Sequence, residues 1–376
     1  MNMLPLIAWA LVASPVQAPD LDFKDAWSKV ESGISSRYYA RETRKADMTR
    51  LLAKYGPVAS NSKTKAEFDR AVNGMIAEFG DSHFALLTDE DQGYFMFENL
   101  SNPNTTVEMP NVGVWAKLTS NGYVAQMVIE GSDAFAAGVR KGDQLKTIDG
   151  QAFSPILALK GKAGQKVKLG YSQNGADKFV DAQVKSGKGL DMFLDGTRDS
   201  IRIIESGGKK IGYIHLWTQA SDGFRNALKG AAMGRLRGTD AFILDLRDGF
   251  GGRPENFFEP FFMPDMPVVY KVGGVTQTTQ FGYGTQKPMV VLINEGSRSA
   301  KEVSALMFKK SKRATLIGTQ TAGNVLGTTP WRLNTWAFLE IPIAEVLADG
   351  QNLEKDGVMP DIKVSPEIDA SGKDLV

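Results

Sequence analysis

Residues 294–302, Asn-Glu-Gly-Ser-Arg-Ser-Ala-Lys-Glu, follow an apolar strand expected over 288–293 and lead into a helix with Val303, Leu306 and Met307 on one face. A serine at such a junction has its hydroxyl beside backbone N–H groups that the helix leaves unpaired. That placement suits a nucleophile. It equally suits a helix cap, because Ser299 and Glu302 form the S-x-x-E pattern of a capping box. Only partners elsewhere in the chain can decide between the two. A hydroxyl nucleophile needs a base, and imidazole can take and return a proton near neutral pH. There are two histidines to consider. His83 closes Gly80-Asp81-Ser82-His83, just past a helical stretch, whereas His215 alternates with Ile214 and Leu216 along an expected strand and reads as structural. The third feature is the loop Asp245-Leu246-Arg247-Asp248-Gly249-Phe250-Gly251-Gly252. Paired glycines let backbone N–H groups approach another group closely, as an oxyanion hole requires, although most strand-to-loop glycines are simply turns.

Composition removes several function classes. At 376 residues the chain exceeds one ordinary core and fits two or three domains. A formal net charge of +1, with no long run of one sign, leaves no footprint for nucleic acid or another polyanion. The absence of cysteine excludes disulfides, thiolate metal sites and a cysteine nucleophile, and two histidines argue against a structural zinc site. Residues 1–18 carry no side-chain charge, hold an apolar run over 4–13 and end Val16-Gln17-Ala18, resembling a secretory signal peptide. The run falls short of the roughly 20 apolar residues a membrane span needs. The expectation is an exported protein, periplasmic or secreted, without a membrane span in its mature chain.

Three regions must position these residues. Phe23, Trp27, Val30 and Ile34, then Phe68, Val72, Met75, Ile76 and Phe79, repeat at helical spacing, with Gly80 as a stop, so an N-terminal helical domain is expected over 19–95. Residues 89–110 mix Asn, Pro, Thr and Gly and read as a connecting loop with an aromatic patch at 94–97. Short alternating strands follow at 112–118, 123–129, 166–171 and 178–184, with Asp-Gly and Asn-Gly turn signals. Within them, residues 131–150 resemble the core of a PDZ domain, placed over 108–188. That resemblance implies capture of an extended peptide C-terminus at a sheet edge, with Val112, Gly113 and Val114 as the candidate peptide-binding residues. From residue 200 to 376, strands at 210–216, 241–246, 288–293, 314–317 and 362–364 alternate with helices at 221–235 and 300–310. The alternation predicts an α/β core with a largely parallel sheet, and an edge or hairpin strand at 336–343. Phe257, Phe258, Phe261, Phe262 and Met263 could line an apolar pocket; membership of the core is the simpler reading.

Together these motifs form a recognisable series: Asp-Leu-Arg-x-x-x-Gly-Gly, an apolar strand into Ser-x-Ser-Ala-x-Glu, Ile317-Gly318-Thr319-Gln320-Thr321-Ala322-Gly323, and Glu354-x-x-Gly357-Val358-x-Pro360-Asp361. The series resembles the carboxy-terminal processing peptidases and their tricorn-like relatives, a family that also places a helical segment and a PDZ domain before its α/β core. The resemblance implies a multidomain fold with a core of the ClpP/crotonase-like type, a peptide or protein substrate, and neither metal nor organic cofactor. It puts the nucleophile at Ser299 and the oxyanion hole at the N–H groups of Ala300 and of the glycine pair, Gly252 above all. Members with a serine-lysine dyad carry the lysine where this chain has Asn324, which cannot accept a proton. Lys301 stands two residues past Ser299, faces away from it, and reads as a solvated surface lysine. The tricorn-like branch instead draws its base from a Gly-Asp-Ser-His element, which implies His83 as base, with Ser82 and Glu354 orienting it. Two readings follow: a serine endopeptidase, or a catalytically silent relative that holds a peptide or apolar ligand in the same cleft.

Overall fold

Asp22 starts the first helix, Phe23–Arg37, by accepting the N–H groups of Lys24 and Asp25 at 3.0 and 2.9 Å. Thr64 caps the helix Lys65–Phe79, and Gly80 ends it in the left-handed conformation at φ 69°. This computed structural model describes residues 21–253, 255, 257–262, 266–272, 274–281 and 286–364; the leader expected at 1–18 and Met263 lie outside them. The apolar faces of these two helices, with Lys45–Ser60, build one core. That core is completed by Leu333, Trp336, Leu339 and Ile341 from far down the chain.

The completing residues flank and form the strand Ala337–Ala344, which pairs with Ala85–Thr88 on one side and Gly327–Arg332 on the other. The expected hairpin is present, but this strand is central rather than an edge. Ala337, Phe338, Leu339 and Ile341 are all at most 1% exposed, as a strand covered on both faces requires. A second correction concerns residues 89–110, where a helix, Gln92–Ser101, replaces the expected loop. Its glycine, asparagine and serine are poor helix formers, and packing overrides them: Tyr94, Phe95 and Phe97 are buried, the first and last against Phe338.

The middle region is an antiparallel sheet of Val114–Thr119, Gly122–Val128, Gln144–Ile148, Lys166–Gln173 and Ala176–Gln183, in that spatial order, around a core of its own. Asn174 and Gly175, both at positive φ, turn its last hairpin.

The third region carries a six-stranded sheet: Arg202–Ser206, Lys209–His215, Ala241–Asp245, Met289–Ile293, Thr315–Gly318 and Ile362–Lys363. The first pairing is antiparallel and the others are parallel. In register, His215 lies beside Asp245, Asp245 beside Leu292, and Ile293 beside Gly318. The loops after these strands therefore gather at one edge, the carboxyl end where open α/β sheets place their sites. A hairpin of Met266–Val272 and Val275–Phe281 and a helix Asp191–Asp199 were not foreseen. Phe257, Phe258 and Phe261 are core, at 3, 3 and 1% exposed; Phe262 is at the surface.

Phe68 is wholly buried between Phe23 and Trp336, so it joins the first helix to the late strand. Phe68→Ala is expected to cost about 3–5 kcal/mol, read as a lower denaturant midpoint.

Candidate active site

Ser299 begins the helix Ala300–Lys310 with φ 59° and ψ −128°, a left-handed conformation far from the extended one an ordinary N-cap adopts. A residue with a side chain held there costs on the order of 1–3 kcal/mol, so neighbouring groups must hold it. Glu302 does so. Its carboxylate accepts the Ser299 N–H at 3.1 Å, and also the Asn324 N–H at 2.9 Å, the Gly323 N–H at 2.7 Å and the Thr321 hydroxyl at 2.6 Å. The Ser299 N–H is shared with the Asn324 carbonyl at 2.9 Å. Glu302 is fully buried, and burial raises its pKa against the pull of those donors. The Glu302 half of the capping box is thus made, while the Ser299 side chain caps nothing, and it coexists with a half-buried, strained serine turn of the kind that presents nucleophiles.

The glycine loop forms the wall of this turn. A Cβ on Gly251 would lie 2.6 Å from Ser299 Oγ and 2.7 Å from the Ala300 nitrogen. Gly252, at φ 132°, packs instead against the Gln219 backbone, with which it forms a parallel bridge. The residue touching the serine is therefore Gly251, the member of the pair that sequence reasoning passed over. Among the described residues, the N–H groups of Gly252 and Ala300 have no protein acceptor.

His83 is 8% exposed and, like Ser299, held at positive φ, 55°. Its Nδ1 lies 2.9 Å from Ser82 Oγ, which lies 3.0 Å from Glu354 Oε2. A carboxylate can only accept, so the Ser82 hydroxyl donates to Glu354 and accepts the proton on Nδ1, leaving Nε2 with its lone pair. Glu354 Oε2 also takes the Val325 N–H at 2.6 Å, tying the array to the loop that holds Ser299. Asp81, bonded to Tyr38, Tyr39 and Arg44, anchors the same turn to the helical region. Burial pushes the His83 imidazole down to about 3, and the Arg298 cation adds to the effect. Arg298 directly precedes Ser299, so His83 and the serine turn share one neighbourhood, although among the described residues no hydrogen bond joins them. At neutral pH His83 is an uncharged base.

The other candidates fall elsewhere. His215 is buried, with Nδ1 2.7 Å from Glu130 and Nε2 2.9 Å from the Arg247 carbonyl. With an acceptor on each nitrogen it is a cation: burial opposes the charge, and the Glu130 and Asp245 carboxylates outweigh it, raising its pKa. Lys301 corrects an expectation outright. It is fully buried, not solvated, and its Nζ donates to the Asp248 carbonyl at 2.6 Å. Asn324 contributes its backbone alone to the serine turn. The Val112–Val114 stretch is engaged within the chain: Gly113 N–H donates to Asn111 Oδ1 at 3.1 Å, and its carbonyl accepts from Ile129 at 2.9 Å. Gln92 donates to the Val114 carbonyl at 3.0 Å and accepts the Ala116 N–H at 2.8 Å, so its amide occupies that sheet edge as a peptide strand would.

Against known proteins, residues 210–364 match the model of peptidase family S41. The chain carries a peptidase family S41 domain. S41 peptidases are serine peptidases, and this is the enzyme class of the chain. The carboxyl-terminal-processing protease of Synechocystis sp. is 27% identical over 320 residues, covering 80% of this chain and 71% of the relative. The carboxy-terminal processing protease CtpA of Bacillus subtilis is 26% identical over 78% of this chain and 63% of its own. In fold, the photosystem II D1 C-terminal processing protease superposes with a TM-score of 0.55 at 20% identity, covering 93% of this chain and 94% of that one. The tricorn protease gives 0.54 at 18% identity, covering 92% of this chain and 34% of the larger one.

In this S41 domain the tight seat of Gly251 makes a direct test. Gly251→Ala should push the Ser299 side chain and the Ala300 N–H apart, cutting fluorophosphonate labelling of Ser299 at least about 100-fold while unfolding remains cooperative.

Proposed function

We propose that this chain is an exported serine endopeptidase in which Ser299 attacks the substrate carbonyl and His83 carries the proton. The observation that supports it most is the unbroken array Glu354–Ser82–His83, which leaves a neutral Nε2 within the electrostatic reach of Arg298, the residue before the strained Ser299. Ser82 and Glu354 orient the imidazole and favour its charged form once it takes the proton. The N–H groups of Ala300 and Gly252 receive the oxyanion, with Gly251 keeping the approach clear. The proton then passes from His83 to the leaving amine, and water repeats the cycle on the acyl-enzyme.

In this reading the modules divide the work. The helical domain, 19–95, delivers His83; the PDZ-like domain, 108–188, engages the end of a peptide that displaces the Gln92 amide from its sheet edge; the core, 200–376, of ClpP/crotonase-like type, cleaves. The similarity to proteases named for carboxyl-terminal processing supports protein tails as the substrate class. The signal-like residues 1–18 support a periplasmic or secreted location, and no described helix is long and apolar enough to cross a membrane.

Ser299→Ala should abolish peptide hydrolysis with melting temperature preserved, and His83→Ala should lower kcat by roughly 10³-fold or more; wild-type turnover in either variant would reject the assignment. A rival reading, a silent relative that only binds, is favoured by the missing His83–Ser299 hydrogen bond and by Asn324 in the dyad-lysine position. Saturable peptide binding without fluorophosphonate labelling would select it.

The pH profile carries a separate signature. His83 acts when neutral, and its pKa lies far below the ordinary value, so the acid limb of kcat/KM should fall well below pH 6.5. Arg298→Gln removes the neighbouring cation and should move that limb upward. The linked stability effect has a definite sign. Unfolded His83 protonates near 6.5 and folded His83 near 3, so its contribution is full above pH 6.5 and is lost as pH falls through that window.

A further inference from the structure

The loop that faces Ser299 passes through two consecutive left-handed residues, Asp248 at φ 49° and Gly249 at φ 76°. These turn the carbonyls of Arg247 and Asp248 inward, towards buried cations. The His215 Nε2–H meets the Arg247 carbonyl at 2.9 Å, and Lys301 Nζ meets the Asp248 carbonyl at 2.6 Å and the Arg247 carbonyl at 3.4 Å. Neither cation is needed to complete the nucleophile, base and acid arrangement. Both are nevertheless almost wholly buried, at 6 and 0% exposed, where an ammonium or imidazolium without function would be costly.

We infer that Lys301, with His215 beside it, is a positioning residue that braces the 247–252 loop so that Gly251 and Gly252 stay in register with Ser299. The inference rests on the peptidase reading of the same site. Lys301 belongs to the nucleophile's helix, two residues past Ser299, and its tip reaches the loop from beneath. It therefore locks the two walls of the oxyanion site to each other. A Cβ on Gly249 would come within 2.9 Å of Lys301 Nζ and would also strike the Trp217 carbonyl, so the loop backbone sits directly on the brace. Other ties fix the same loop from further sides. The Asp248 N–H donates to Asn294 Oδ1 at 2.9 Å, and Lys141 of the antiparallel domain bonds Asp248 Oδ1 at 2.7 Å. The charges facing Lys301 are the Asp245, Asp248 and Glu130 carboxylates and the His215 cation; burial dominates and brings its pKa down to about 7. Charged or neutral, the amine donates to the Arg247 and Asp248 carbonyls, so the tie is to backbone dipoles rather than to a salt bridge.

The test uses the full chain with Lys301→Met, which keeps the length and apolar stem of the side chain but removes its donors. Expected are a fall in kcat of about 100-fold with KM within about threefold, because a small misplacement of oxyanion donors weakens only the transition state. Hydrogen exchange of the 247–252 amides should accelerate about tenfold or more while the Ala300–Lys310 helix stays protected. Because the chain has no cysteine, Lys301→Cys can be alkylated with 2-bromoethylamine in denaturant and refolded, restoring an amine at that one position; this should recover kcat and exchange protection together. Unchanged exchange in the 247–252 loop of Lys301→Met would overturn the brace, as would a loss confined to KM. Failure of the refolded aminoethyl-cysteine protein to regain protection would overturn it where Lys301→Met does not fold. Exchange is read without turnover, so a peptidase reading defeated by an active Ser299→Ala variant is distinguishable from a failed brace.

Discussion

A single buried carboxylate, Glu302, determines whether this site exists. It gathers one hydroxyl and three backbone N–H groups from two separate segments, and one of those N–H groups belongs to Ser299. Left without its donors, a carboxylate in that position would be costly, so the loop at 321–324 and the turn at 299 are obliged to meet. The strained backbone of Ser299 is the geometric outcome. The loop in turn delivers the Val325 N–H to Glu354, so a second carboxylate is placed by the same contact and passes its influence to Ser82 and His83. What looked like a helix cap is the first link of the array.

The two halves of the site are strained in the same sense. Ser299 and His83 both sit at positive φ with side chains that ordinarily avoid it. Each is held by polar contacts on both flanks: Ser299 by Glu302 and Asn324, His83 by the Ser82–Glu354 pair and by the Asp81 anchor next to it. Local backbone cost is thus offset by hydrogen bonds that are charge-assisted, which is the stronger class. The same logic explains the buried ion cluster around His215, where Glu130, Asp245 and Arg247 leave no charged group without a partner.

Much of this was legible in the linear pattern, and the exceptions share a cause. The serine turn, the glycine loop and the Gly-Asp-Ser-His element are local motifs, and each folds where its residues predicted. The parallel strands announced themselves by apolar runs and by alternation with helices. The helix at Gln92–Ser101 did not, because its stability comes from Phe338 and the rest of a core 240 or so residues away rather than from its own propensity. Sequence alone makes Lys301 a solvated lysine, since a lysine is almost never fully buried, and nothing nearby in sequence reveals the inward carbonyls that receive it. Gly251 and Gly252 are indistinguishable as letters; only the turn of the backbone decides which faces the serine and which faces Gln219.

The wide separation of the converging parts has a consequence for how such a chain is made. Ser82 and Glu354 stand 272 positions apart, and the core that seats His83 also waits for Trp336, Leu339 and Ile341. A chain emerging from the ribosome in order presents His83 early, Ser299 later and Glu354 last of the three. Until residue 354 has arrived and the three-stranded sheet has closed over the first helices, no partial product holds the whole array. Synthesis order thus acts as a latch: the Glu354–Ser82–His83 array closes only after every residue between 82 and 354 has been made.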